Sequence, residues 1–311
     1  MPENRLYPPE GLRHSRSYTL KDLLEGKENK TILEGIPIRC DAEHHLHLRF
    51  GNAAGLLPRH EVIAPWISGA ERDISAISRV GKLTCFTVSD VISDAKGAPK
   101  VMLSRKSAQN QAMDWFLEHL HPGTILTGQV IRLESYGAFV DIGCGIIGLL
   151  PIERISVSRI EHPKDRFSPG QKILAAVLQI DAKLRRITLT HRELLGTWME
   201  NASLFRSGET VRGIVRSIKP YGAFVELTPN LSGLAENTAD LQTGDLVSVY
   251  IKSIHPENTK IKLQIITRLQ PSELPEPLSY QVTDGRLQHW MYSPPDSLKN
   301  PIQTDFTAFD S

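Results

Sequence analysis

Cysteine is scarce in this chain: Cys40, Cys85 and Cys144 are the only three among 311 residues, and no two stand at a CxxC spacing. That argues against a disulfide framework or a CxxC metal site, and the expected setting is a reducing cytoplasm. Long apolar runs are missing as well. The best, Ile173 to Leu178, falls far short of the ~20 residues that span a bilayer, so no membrane partner is expected. The start, Met-Pro-Glu-Asn-Arg, lacks the apolar core of a secretory leader. Neither sign of charge dominates: 36 Lys and Arg against 35 Asp and Glu leave a net +1. This argues against a globally basic nucleic-acid coat. With 40% hydrophobic and 23% charged residues, a wholly disordered or collagen-like chain is excluded too.

Signatures of catalysis are equally thin. There is no Gly-x-Ser-x-Gly, and Gly81-Lys82 lacks the other residues of a P-loop. Gly143 to Gly148 spells G-x-G-x-x-G, but it lies between two short strand patterns rather than between a strand and a helix, so a hairpin turn is expected. Glu43, His45 and His47 share a strand face without an evident fourth ligand. No enzyme, no metal and no cofactor are therefore expected.

What the chain does have is repetition. Residues 123–142 read GTILTGQVIRLESYGAFVDI, and 208–227 read GETVRGIVRSIKPYGAFVEL. Gly128 matches Gly213, Tyr136 matches Tyr221, Phe139 matches Phe224, and Gly148-Leu149 matches Gly233-Leu234. A fainter copy aligns Gly35 and Gly55-Leu56-Leu57-Pro58 with Gly128 and Gly148-Leu149-Leu150-Pro151. Self-similarity of this kind marks serial copies of one unit. In the middle copy, alternation predicts strands near 124–134, 138–142, 148–151, 172–180 and 186–190, the pattern of a small five-stranded antiparallel barrel of the OB type. The fold class expected is mainly β, with tandem five-stranded OB barrels joined by short helices. The expected layout is an arm (1–26, with a short helix after Ser17), a degenerate barrel (27–107), a linker helix (108–120, capped by Ser104), a barrel (121–192), a second linker helix (193–205), a barrel (206–268) and a Pro-rich acidic tail (269–311). That tail is expected to be extended or disordered, with Trp290 and Tyr292 as candidates for docking.

Charge follows the same division. Residues 27–107 carry 12 basic and 9 acidic side chains, 121–205 carry 10 and 8, 206–268 carry 8 and 6, and the tail carries 2 and 6. A mildly positive body can bind a polyanion locally. In strand 138–142 the set Ala138, Val140, Ile142 reads as core, so Phe139 and Asp141 point outward; Phe224 and Glu226 repeat this. Outward Phe next to Tyr136 or Tyr221 suits base stacking. In the first copy, Leu46, Leu48 and Phe50 form the apolar set. A one-residue slip relative to the gapless alignment then turns His45, His47 and Arg49 outward, and the aromatic platform is lost. For the charged loop 152–169, an extension of a binding groove and a solvated loop both stand open.

The run Tyr-Gly-Ala-Phe-Val-Asp/Glu, with Gly-Leu-Leu-Pro, Gly-Gln-x-Ile, Ile-Asp and Arg-Ile-x-Leu-Thr in the middle copy, resembles the S1 RNA-binding domain, the module repeated in bacterial ribosomal protein S1. The resemblance is close over 121–192 and 206–268 and faint over 31–105. It implies single-stranded RNA binding without catalysis, in translation: mRNA capture and association with the small ribosomal subunit. It places RNA contacts at Tyr136, Phe139, Asp181 and Arg186, and at Tyr221, Phe224, His255 and Lys260. Pro151 and Glu236 stand where the family often has His, and His255 stands where it has Asp. The alternative is an adaptor whose barrels bind proteins of a ribosome or RNA-processing complex.

Overall fold

Alternation and turn chemistry place the strands close to where the pattern predicts them. The computed structural model describes residues 7–12, 17–67, 72–93, 97–236, 240–270, 278–298 and 300–309. In the first unit β1 (Leu33–Gly35), β2 (Arg39–Cys40), β3 (Leu46–Phe50), β4 (Ala53–Leu57), β5 (Thr84–Ser93) and β6 (Pro99–Ser104) form one sheet in the order β1-β5-β6-β4-β3-β2. Helix α1 (Leu20–Glu28) precedes it, α2 (Arg72–Ile77) lies within it, and α3 (Arg105–His119) leads out. The second unit, β7 (Ile125–Glu134), β8 (Gly137–Gly143), β9 (Ile146–Pro151), β10 (Lys172–Asp181) and β11 (Arg186–Thr190), closes into a barrel. After α4 (Trp198–Ala202), β12 (Thr210–Lys219), β13 (Gly222–Thr228), β14 (Leu231–Ala235), β15 (Leu246–His255) and β16 (Lys260–Arg268) close a third unit with the same strand order.

The first unit departs from the expected five strands. In the second barrel, one ten-residue strand β7 pairs with β10 at its start and with β8 at its end. The first unit divides that work: β1 pairs with β5, and β2 pairs with β3. Between them lies Pro37, which has no N–H to give and breaks the ladder, so one strand becomes two and the sheet stays open. In the closed barrels the repeated Gly128 and Gly213 let β7 and β12 approach their neighbours. A Cβ at either position would collide with Val140 or Val225 across the barrel wall.

The cores follow the alternation. Val130, Ala138, Val140, Leu150, Val177 and Leu189 fill the second barrel, and Val215, Ala223, Val225, Val249 and Leu263 fill the third. Helix α3 starts at Ser104, whose hydroxyl accepts from the Ser107 amide at 2.9 Å. The helix packs Ala112, Met113 and Phe116 into the second barrel's core.

The described residues 278–298 and 300–309 of the tail are folded and docked rather than extended throughout. β17 (His289–Met291) and β18 (Gln303–Asp305) form a hairpin. Trp290 and Tyr292 bury against the third barrel's core, and Phe306 buries beside Ile125, Ala176 and Leu178 of the second. Proline and acidic residues disfavour long regular elements, but three buried aromatics supply enough apolar area to hold the segment as a strap. The strap also carries Tyr280, whose hydroxyl accepts from the Leu174 amide at 3.1 Å and lies 3.2 Å from His191 Nε2. The His191 Nδ1–H donates to the Ile155 carbonyl at 2.7 Å, which leaves Nε2 as the acceptor of the tyrosine proton.

Burial pushes the His191 imidazole down to about 4. Its folded value therefore lies below its unfolded value, and the stability it contributes is present above about pH 6.5 and lost as pH falls toward 4. The expected slope is about 1.4 kcal/mol per pH unit inside that window. A His191→Gln chain keeps a donor and an acceptor but takes up no proton. Thermal unfolding between pH 7 and 4.5 should therefore show a smaller acid loss in the variant than in the parent; equal losses would remove His191 from the account.

Candidate nucleic-acid interface

Cross-strand partners share a face, so register alone decides which side chains lie together. In the second barrel Phe139 sits opposite Leu149, Leu149 opposite Thr188, and Arg186 opposite Asp181. Arg186 is two residues from Thr188, so Phe139, Arg186 and Asp181 share the outer face. The third barrel repeats this: Phe224 opposite Leu234, Leu234 opposite Lys262, and His255 opposite Lys260. Each Phe has a Tyr at the strand entrance. Tyr136 and Phe139 stand 6.0 Å apart at 87°, and Tyr221 and Phe224 stand 6.3 Å apart at 87°. Tyr136 is 55% exposed and Tyr221 67%, while both Phe rings are half-buried. The eight residues picked from sequence thus form two faces of four.

Their surroundings differ. The Arg132 guanidinium lies 4.5 Å above the Phe139 ring, because a bulge in β7 sets Arg132 opposite Phe139. The corresponding bulge in β12 sets Ser217 opposite Phe224. Asp181 turns its carboxylate to the Leu184 amide at 2.9 Å, holding the turn before the exposed Arg186. His255 lies 2.8 Å from the Ser253 hydroxyl and 3.3 Å from Glu257. Sequence reasoning missed Arg132 and Lys262. Period two was the signal for Lys262, which follows Lys260 on the same face; a bulge leaves no such signal for Arg132.

Asp141 and Glu226 correct the reading of the outward faces. Both point away from their own barrel's core, yet Asp141 is 1% exposed and Glu226 4%. Asp141 accepts from the amides of Glu10, Gly143 and Gly145. Burial and the nearby Glu10 carboxylate push it up to about 7. Glu226 is buried between barrels and receives Arg166 through two bonds of 2.8 Å, and Arg216 at 2.9 and 3.0 Å. Burial alone would raise its carboxyl, but the two guanidiniums outweigh that and lower it. Loop 152–169 is accordingly neither solvated throughout nor only a groove wall. It buries Ile155, Ile160 and Phe167, and it docks on the third barrel through Arg166, Val157 and Ser158.

In the first unit Leu48 sits opposite Gly55, as Val140 sits opposite Gly148. The one-residue slip is present, and His47 occupies the Phe139 position. His47 Nε2 lies 2.7 Å from Asp41, and His44 lies 3.2 Å from Asp73, which also holds Arg59 at 2.6 Å. Imidazoles and carboxylates answer one another here, and no aromatic pair corresponds to the other two. Gly143 to Gly148 forms the β8–β9 hairpin. Among the described residues no cluster of three metal-ligating side chains occurs, and no helix is long and apolar enough to cross a membrane.

Residues 120–192 match the family described as S1 RNA binding domain. The chain is 33% identical over 182 residues to small ribosomal subunit protein bS1 of Leuconostoc lactis, covering 53% of this chain and 42% of that protein. It is 31% identical over 193 residues to bS1 of Staphylococcus aureus strain COL, covering 57% of this chain and 49% of that protein. Each match thus spans less than half of the relative. A multidomain protein with nucleic acid binding domains from Streptococcus pneumoniae aligns over 78% of this chain and 75% of that one, at 15% identity and a TM-score of 0.26.

Proposed function

We propose that this chain, whose central barrel is an S1 RNA-binding domain, binds single-stranded RNA without catalysis through its barrels at 121–192 and 206–268. The carrying observation is the perpendicular Tyr–Phe pair repeated on the outer face of both closed barrels. Each face adds a cation, Arg186 or Lys260, placed for a phosphate. Two weak sites on one chain hold a strand through effective concentration. The similarity to small-subunit proteins supports a cytoplasmic role in translation, with mRNA and the small ribosomal subunit as partners. Unit 27–107, with its paired histidines and acids in place of aromatics, acts as a support.

Titration of labelled unstructured RNA and duplex RNA at several salt concentrations tests this. Preference for the single strand and a linear fall of log affinity with log salt are expected. Equal affinity for duplex, or no salt dependence, removes the reading. Cleavage of RNA by homogeneous protein removes its non-catalytic part.

A further inference from the structure

A groove of about 790 Å³ runs between loop 152–161 of the second barrel and β12 of the third. Its lining includes direct neighbours of both aromatic faces. On the second barrel, the lining residue Ile152 donates its amide to the carbonyl of Tyr136 at 3.0 Å. On the third, the lining residues Ser217 and Lys219 stand opposite Phe224 and Gly222, on the strand that leads into Tyr221. Nothing in the general plan of a barrel requires this. The join is made by this chain's own inter-barrel bonds, Val157 amide to Asn230 at 3.0 Å and Ser158 hydroxyl to Ser232 hydroxyl at 2.7 Å.

The groove carries the charge a polyanion needs. Arg159 and Lys219 are exposed cations on its walls. Arg216, also in the lining, shares the Glu226 carboxylate with Arg166, so two guanidiniums answer one carboxylate and one positive charge stays uncompensated beneath the surface. Arg166 is 7% exposed, and among the described residues its Nε has no partner. Glu153 and Glu161 at the rim oppose these charges only in part. A buried surplus guanidinium is costly unless an anion lies near.

We infer that this groove is a phosphate track carrying one RNA strand from the Tyr136–Phe139 face to the Tyr221–Phe224 face. The inference rests on the RNA reading above and adds to it a path between the barrels. Oligouridines of six and twenty nucleotides, titrated against the whole chain at several salt concentrations, separate the two. The short strand fits one face; the long one crosses the groove. The parent chain should show a steeper salt slope with the twenty-mer than with the hexamer. In the double variant Arg159→Gln with Lys219→Gln, the twenty-mer slope should fall by about 0.7 for each lost phosphate contact, moving toward the hexamer value. Both side chains are exposed, and matched melting temperatures establish that the variant is folded. If both oligomers bind and the double variant keeps the full twenty-mer slope, the track is wrong and the faces stand. If neither binds the parent chain, the RNA reading itself falls. Polyglutamate competing with the twenty-mer at equal charge concentration would overturn the track in favour of an acidic protein segment.

Discussion

Replacing Glu10 with alanine is expected to destabilise the junction of the first unit and the second barrel by about 3–5 kcal/mol, because it strands a buried arginine. Glu10 is 6% exposed and Arg105 2%. Two parallel bonds of 2.8 Å join them, Arg79 adds a third cation contact, and the Cys85 amide donates to the same carboxylate at 3.0 Å. Burial would raise the Glu10 carboxyl, but Arg105 and Arg79 outweigh it and hold it at about 2. The loss should appear as a lower melting temperature and as faster amide exchange in β5 and α3. Breaking such a pair differs from removing it. Glu10→Leu with Arg105→Met should recover most of the loss, since a packed apolar pair is often as stable as a buried ionic one. If Glu10→Ala melts within a degree of the parent, the cluster does not hold the junction.

The second large effect concerns affinity. Tyr136→Ala with Phe139→Ala should weaken single-stranded RNA binding by about 1–3 kcal/mol per lost stack, or roughly 5- to 150-fold each. Tyr221→Ala with Phe224→Ala should act alike on the third barrel. The first pair has an added component, since Arg132 rests on the Phe139 ring and loses its seat with it. His45→Ala with His47→Ala should change affinity little near neutral pH: His47 stands at the corresponding register position but is bound to Asp41. Fluorescence titration, with melting curves for every variant, checks all three. A histidine pair that matters more than either aromatic pair would reverse the division into one supporting unit and two binding barrels.

Much of this architecture was legible from spacing. Gly128 and Gly213 mark a close approach that the barrel requires, and alternation in 138–142 assigned Val140 inward and Phe139 outward. The slip that turns His47 outward also followed from period two. The failures at Asp141 and Glu226 share one cause. Alternation tells which side of its own sheet a residue faces, but not what covers that side. Asp141 and Glu226 are outward and yet buried, because the arm residue Glu10 reaches one and loop 152–169 reaches the other. Pro37 was visible as a residue, but its effect on strand closure depends on the pairing of β1 with β5, which is distant in sequence. In the tail the docking of Trp290 and Tyr292 was legible from the sequence, but Phe306 and the hairpin were not, because composition averages over a segment whereas docking depends on single aromatic anchors.

The strap has a consequence for how the molecule is made. It follows both closed barrels in the chain, so a nascent polypeptide emerges with 121–268 complete before Tyr280, Trp290 and Phe306 exist outside the ribosome. At about 5–20 residues per second, roughly 40 further residues take roughly 2–8 s, ample time for small β units that fold in milliseconds to seconds. The barrels therefore take shape ahead of the strap. The bonds that join them, Val157 to Asn230 and Ser158 to Ser232, also lie within 121–268, so the groove is in place first and the strap closes over both barrels last.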